Sequence, residues 1–306
     1  MKKKIVLAGG SGFIGRGIIN YFGLSDYEFV ILTRSPKTRN DGVKEVLWDA
    51  RTLGPWTQEL EGAEVVINLT GKSVNCRYTE ENKREILNSR VESTGVLGTA
   101  IFQLKQPPKV WLNSSSATIY RYSEDKNMDE VTGDIDTGFS PEVVKAWEKA
   151  FNDVQLPATK KFILRISIVL GNDDGAMPRL KNLVRFGLGG QQGNGVQFIS
   201  WLHEEDLYRI IKWCIENPDK EGVYNCCVPN PVTNNYFMRA MRNTMHMPFG
   251  LPATVWMLKI GALIIGTDTE LLLKSRRVVP ANLIRHGFTF TYPDIDSALK
   301  NILSAP

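Results

Sequence analysis

Residues 4–15 read KIVLAGGSGFIG. A short β-branched apolar run passes directly into Gly9-Gly-Ser-Gly12-Phe13-Ile14-Gly15, a GxxGxxG spacing, and an amphipathic stretch follows. In a strand–turn–helix setting each spaced glycine has a physical reason. Gly9 permits the tight turn. Gly12 lets backbone N–H groups approach a pyrophosphate at the helix N-terminus, and Gly15 lets the helix pack on the strand. Phe13 and Ile14 enter the same helix and count among the candidate dinucleotide contacts. A plain tight turn would use the same glycines, so the pattern needs its surroundings. The apolar run is too short, too glycine-broken and too poor in a cleavage signal to read as a signal peptide.

The surroundings agree. KIVLAG, FVILTR, KEVLWD, VVINLTG, KVWLNSS and FILRISIVLG read as buried strands, without polar alternation. Amphipathic segments separate them, the clearest from about Thr79 to Leu104. Such alternation predicts an α/β fold of Rossmann type, a doubly wound parallel sheet with a smaller, mostly helical C-terminal region. The expected division is 1–171 for the dinucleotide domain, with 199–228 returning to the sheet, and 172–198 plus 229–306 on the substrate side. Ligands in such sheets sit at the carboxyl ends of the strands.

With 306 residues, 42% hydrophobic and 23% charged, the chain can bury a large core. The net charge of +4 forms no basic stripe with aromatics, so nucleic acid is not an expected partner. Four cysteines without CxxC and three scattered histidines make no metal constellation. Buried free thiols in a reducing cytoplasm are expected. The apolar run 255–266 is too short for a bilayer and is interrupted by Lys259, so it reads as a core helix or a wall beside a substrate pocket.

The second strand ends in Thr33 and Arg34, with Lys37 close by, where an NAD-preferring site would usually place a carboxylate. A guanidinium offers a 2′-phosphate a bidentate partner, so NADP(H) is the expected cofactor. An ordinary surface arginine fits the same residue. Asp49, closing the third strand, is placed to accept from an adenine amino group. Asn68-Leu69-Thr70-Gly71, closing the fourth, would line the cofactor. Both also fit ordinary turns.

These blocks resemble the extended short-chain dehydrogenase/reductases, most closely an atypical nucleoside-diphosphate-sugar-epimerase-like branch. AGGSGFIG stands where that group has TGxxGxxG. INLTG, RYTEENKREILNSRVEST, GLGGQQGNGVQFISWLHEEDL and GVYNCCVPNPVTN are similar to its blocks, and VVPANLIRHGFTFTYPDIDSAL to its C-terminal domain. The resemblance implies NADP(H) binding, with Thr33, Arg34, Leu69, Thr70, Glu85, Arg90 and Ile168 near the cofactor. Arg90 also makes independent sense: a cation on a helix face turned to the sheet needs a partner, whether phosphate or acid.

The resemblance further implies a catalytic serine at Ser116, within Asn113-Ser-Ser-Ser-Ala-Thr-Ile-Tyr120, and a tyrosine four residues before a lysine. Lys145 is present; the tyrosine position holds Pro141. Ser140 as N-cap and Pro141 at N1 would open a helix there, placing Lys145 on the face of Pro141. A solvated helix lysine fits Lys145 as well. Proline cannot transfer a proton, and Tyr120, Glu142 and His203 are the titratable substitutes in view. Arg77, Arg276 and Arg277 are candidates for an anionic substrate, and Gly187–Gly195 for a mobile pocket wall or an inert loop. The expected activity is an NADP(H)-dependent oxidoreductase or epimerase-like reaction on a small carbonyl or nucleotide-linked substrate. The alternative is a dinucleotide-binding sensor without turnover.

Overall fold

A computed structural model describes residues 2–172, 174–258 and 274–304. Seven strands form one parallel sheet: β1 (Lys3–Ala8), β2 (Tyr27–Thr33), β3 (Lys44–Leu47), β4 (Val65–Asn68), β5 (Val110–Ser116), β6 (Lys160–Ile166) and, after three short strands outside the sheet, β10 (Gly222–Cys226). Their spatial order is β10-β6-β5-β4-β1-β2-β3. The chain builds outward from β1 through β2 to β3, then restarts on the other side with β4. The carboxyl ends of β1 and β4 therefore flank a topological switch point, the crevice where such sheets bind ligands. The α/β Rossmann-type expectation holds.

Both sheet faces are covered, which is why the strands read as unbroken apolar runs. Ile5, Leu7, Phe29, Ile31, Val65 and Ile67 point to one core with Ile18 of α1 (Phe13–Phe22) and Leu207, Ile210 and Ile211 of α5 (Glu204–Glu216). Val6, Ala8, Val30, Leu32, Val66 and Trp111 point to the other, with Leu97 and Ile101 of α2 (Glu80–Phe102) and Phe151 of α3 (Phe139–Asn152). Thr79 caps α2 by accepting from the Asn82 N–H, and Glu80 and Glu81 face the positive end of its dipole. The long helix thus begins where its sequence pattern starts.

Two local expectations are corrected. FILRISIVLG is not one strand. The N–H and the hydroxyl of Ser167 both donate to the Cys226 carbonyl, at 3.2 and 2.8 Å. This ties the chain to the end of β10 and ends β6. The following residues leave the sheet as β7 (Ile168–Leu170), paired with β9 (Trp201–His203) beyond β8 (Phe198–Ile199). The second correction concerns α3. Its N-cap is Gly138, at φ 101°, whose carbonyl accepts from Glu142. Ser140 is therefore not the cap. Pro141 falls at the third helical position, where its missing N–H still costs no helical bond.

Among the described residues the remaining α-helices are α4 (Met177–Arg185), α6 (Asn234–Thr244) after β11 (Val232–Thr233), α7 (Ala281–Arg285) and α8 (Ile295–Ser304). The glycine-rich stretch is fastened rather than loose. Leu251 donates to Gly187, Gly190 to Leu251, Ala253 to Gln191 and Gly193 to Ala253, all at 2.8–3.1 Å. A Cβ at Gly190 would lie 2.4 Å from the Leu251 backbone, so close backbone approach explains that glycine. The apolar run 255–266 lies outside the described residues from position 259 onward.

Candidate dinucleotide and catalytic site

A cavity of about 560 Å³ opens at the switch point. Gly9, Gly12, Phe13, Ile14 and Gly15 form one wall, with Leu69 after β4 and Arg90 from α2. The loop shape depends on its glycines. Gly9 sits at φ 73°, and a Cβ there would lie 2.9 Å from Thr70 Oγ1. At Gly15 a Cβ would lie 2.0 Å from the Gly10 carbonyl oxygen. Gly12, the N-cap of α1, has open space where its Cβ would be, and no side chain caps that helix. The first N–H groups of α1 thus face an open cradle, as an anion site needs. Thr70 Oγ1 is buried there without a hydrogen-bond partner among the described residues. Both observations fit a dinucleotide pyrophosphate.

Arg90 is the cation of the cavity. Its Nη1 donates to the carbonyls of Lys72 (3.1 Å) and Ile86 (2.9 Å), and its guanidinium lies 5.2 Å from the Trp147 ring centroid. Burial pulls it down to about 10. The sequence left phosphate and acid open as partners; among the described residues Arg90 meets carbonyls and an aromatic face, and no carboxylate. Gly71 makes room for it, since a Cβ there would lie 3.0 Å from Cζ.

Thr33, Arg34, Asp49, Glu85 and Ile168 are not among the residues that line this cavity. Thr33 ends β2 beside the glycine loop, whose Gly9 N–H donates to Leu32. Arg34 follows, exposed. Asp49 is also exposed and uses its carboxylate locally: it accepts from the N–H of Arg51 and Thr52 and from the Thr52 hydroxyl. Those bonds, the hydroxyl first, hold it at about 2. Glu85 pairs with Lys72 on the solvent side. Ile168 stands on β7, 39% exposed, and Ile166 lines the cavity instead.

Ser114, Ser115, Ser116 and Thr118 form the opposite wall. Ser116 Oγ accepts from the Thr118 N–H (3.2 Å) and hydroxyl (3.0 Å), which leaves its own proton to donate into the cavity. Behind it runs a buried chain. Ser115 donates to Glu148 Oε1 at 2.5 Å, Arg165 grips both Glu148 oxygens at 2.8 Å, and Arg165 Nη1 donates to the Tyr120 hydroxyl at 2.8 Å. Tyr120 in turn donates to Asn225 on β10. Burial opposes the Arg165 charge, but the bonds to Glu148 prevail and hold it above its ordinary value. Burial pushes Tyr120 up to about 12. With no exposed surface and both hydroxyl roles filled, Tyr120 is a structural residue.

The lysine and the other substitutes for the missing tyrosine, Glu142 and His203, stand elsewhere. Lys145 pairs with Glu142. Neither residue lines the cavity, nor do Arg77, Arg276 or Arg277. Arg277 lies over Phe198, 4.6 Å from its centroid. His203 caps α5: its Nδ1 accepts from the Glu205 N–H at 3.0 Å, so Nε2 carries the proton and donates to Asn301 at 3.1 Å. It stacks on Tyr292 at 3.9 Å and is 3% exposed, and burial lowers its pKa from 6.5. Above that value both folded and unfolded chains hold it neutral. Below it the unfolded chain binds a proton that the fold resists, so stability falls with pH. Urea unfolding at about pH 7.5 and about pH 5 should show a larger loss for the native chain than for His203→Asn, which keeps a capping side chain.

The sequence reading missed Ser73, Val74, Tyr78, Phe139, Val143 and Trp147, which complete the cavity. The usable signal was position. Tyr78 immediately precedes the N-cap of α2, on the loop leaving the carboxyl end of β4.

Residues 5–153 match the NAD dependent epimerase/dehydratase family, and residues 253–302 match a domain of unknown function, DUF1731. Epimerase family protein YfhF of Bacillus subtilis is 31% identical over 98% of both chains. The chain belongs to this epimerase family. The human epimerase family protein SDR39U1, solved with NADPH, is 28% identical, covers 98% of each chain and superposes with a TM-score of 0.87. A nucleoside-diphosphate sugar epimerase from Corynebacterium glutamicum is 26% identical with a TM-score of 0.79, covering 99% of this chain and 58% of its own. The extended short-chain dehydrogenase resemblance, including its C-terminal domain, is thereby established for this epimerase family member. Among its described residues no helix is long and apolar enough to cross a membrane.

Proposed function

We propose that this chain is an NADP(H)-dependent oxidoreductase or epimerase-like enzyme acting on a small carbonyl or nucleotide-linked substrate. The observation that carries the cofactor choice is Arg34. It follows β2 at the edge of the glycine loop, exposed and without a side-chain partner among the described residues, where a carboxylate would repel a 2′-phosphate. The related human protein binding NADPH supports the same choice. Gly9, Gly12 and the start of α1 would hold the pyrophosphate, with Thr70 beside it, and Arg90 would stand by the cofactor in the same cavity. The bound group supplies hydride chemistry. Ser116 would orient a substrate oxygen. We assign residues 1–171 with 199–228 to the cofactor side, and 172–198 with 229–306 to the substrate side.

Calorimetry with NADPH and NADH, followed by a screen of carbonyl compounds for NADPH oxidation, tests this reading. Arg34→Ala should weaken NADPH by about tenfold to a hundredfold, the worth of a lost charge-assisted bond, while NADH changes by less than about threefold. Equal losses would defeat the 2′-phosphate assignment. Tight NADPH binding without oxidation across a broad carbonyl and nucleotide-sugar screen would defeat the enzyme.

A further inference from the structure

Proton transfer in this site lacks its usual residue, and the named substitutes are spoken for. Pro141 is buried and has no proton to give. Tyr120 is enclosed by Arg165 and Asn225, and His203 caps a helix outside the cavity. Among the described residues lining the cavity, only Tyr78 and Arg90 carry an ionisable side chain. Tyr78 shares the cavity with Ser116. Its ring meets Phe139, at the start of α3, edge-on with centroids 5.1 Å apart. Two cavity walls thus hold it, the loop before α2 and the first turn of α3.

Resting on the oxidoreductase reading above, we propose that Tyr78 is the proton donor of this site, with the Arg90 guanidinium as the fixed cation beside it. Arg90 is fit for that part. It is anchored by two carbonyls and by the Trp147 face, and among the described residues no carboxylate pairs with it. Tyr78 and Arg90 line the same cavity. A phenolate there would be met by a positive charge, the service a lysine performs in the tyrosine–lysine pair. The step balances simply. When the carbonyl carbon receives a hydride, for which reduced nicotinamide dinucleotide is the source, the C=O electron pair moves to oxygen. The Tyr78 O–H bond breaks, an O–H bond forms on that oxygen, and the phenolate faces Arg90 until water returns a proton. Ser116 donates a hydrogen bond to the same oxygen.

Two measurements decide it. Tyr78→Phe should bind NADPH within about twofold of the native chain by calorimetry, yet oxidise it with the best carbonyl substrate at least about a hundredfold more slowly, the range of a lost general acid. Tetranitromethane, which attacks phenolates, gives a readout independent of turnover. Mapped by mass spectrometry, Tyr78 should be nitrated ahead of Tyr122 and Tyr236, which are 43% and 38% exposed but whose phenols are raised by bonds to Glu124 and Asp296. NADPH should slow the reaction at Tyr78. Turnover of Tyr78→Phe within about threefold of native, or nitration of Tyr78 no faster than of Tyr122 and Tyr236, overturns the proposal while leaving NADPH binding intact. Failure of the native chain to bind NADPH instead overturns the oxidoreductase reading. If the native chain binds NADPH but oxidises it with no compound of the screen, the oxidoreductase reading falls and this proposal falls with it.

Discussion

Arg165→Met is expected to lower folding stability by about 3–5 kcal/mol, the cost of stranding a buried ionic partner. Glu148 is 8% exposed, and both its oxygens face the Arg165 guanidinium. Remove the arginine and, among the described residues, the carboxylate keeps only Ser115, while Tyr120 loses its donor. Urea unfolding monitored by tryptophan fluorescence reads the loss. The double variant Arg165→Met with Glu148→Met should recover most of it, because a well-filled apolar pair needs no compensation. Equal stability of the single and double variants would show that the pair contributes through packing alone.

Ser116→Ala should reduce NADPH oxidation by about a hundredfold to a thousandfold, as removal of a donor to a developing oxyanion does. Dinucleotide affinity should stay within about twofold, since no part of the proposed pyrophosphate cradle is touched. Loss of the Thr118 contacts costs a cap worth about 1 kcal/mol, a small shift in thermal unfolding. The discriminating result is a fall in kcat with binding preserved. A fall in both together would place Ser116 in the scaffold instead of the reaction.

The strands and the glycine loop were legible because both follow short-range rules. A sheet buried on both faces writes continuous apolar runs, and a tight βα turn writes glycine. The break at Ser167 was not legible. It depends on the Cys226 carbonyl, which arrives from a strand far along the chain. The start of α3 was misjudged because Ser140-Pro141 is a good local opening, whereas Gly138 at φ 101° turns the chain two residues earlier. For the site, Gly9, Gly12, Gly15, Leu69, Arg90 and Ser116 do meet at one cavity. Tyr78 was passed over because a single aromatic before a helix cap carries no periodic or spacing signal. Only its convergence with Phe139 and Arg90 gives it meaning.

The position of β10 has a consequence for how the protein is made. As the chain leaves the ribosome, β1 to β5 find their neighbours soon after synthesis, but the outer edge of β6 stays unpaired until Cys226 has emerged. That edge is a template for another nascent chain. Lys160 and Lys161 open the strand with like charges that discourage such pairing. When β10 does arrive, Asn225 reaches Tyr120 and the Cys226 carbonyl receives Ser167. The serine-bearing wall of the cavity is therefore among the last parts to set, so a nascent chain arrested before β10 would carry the glycine loop without a finished wall opposite it.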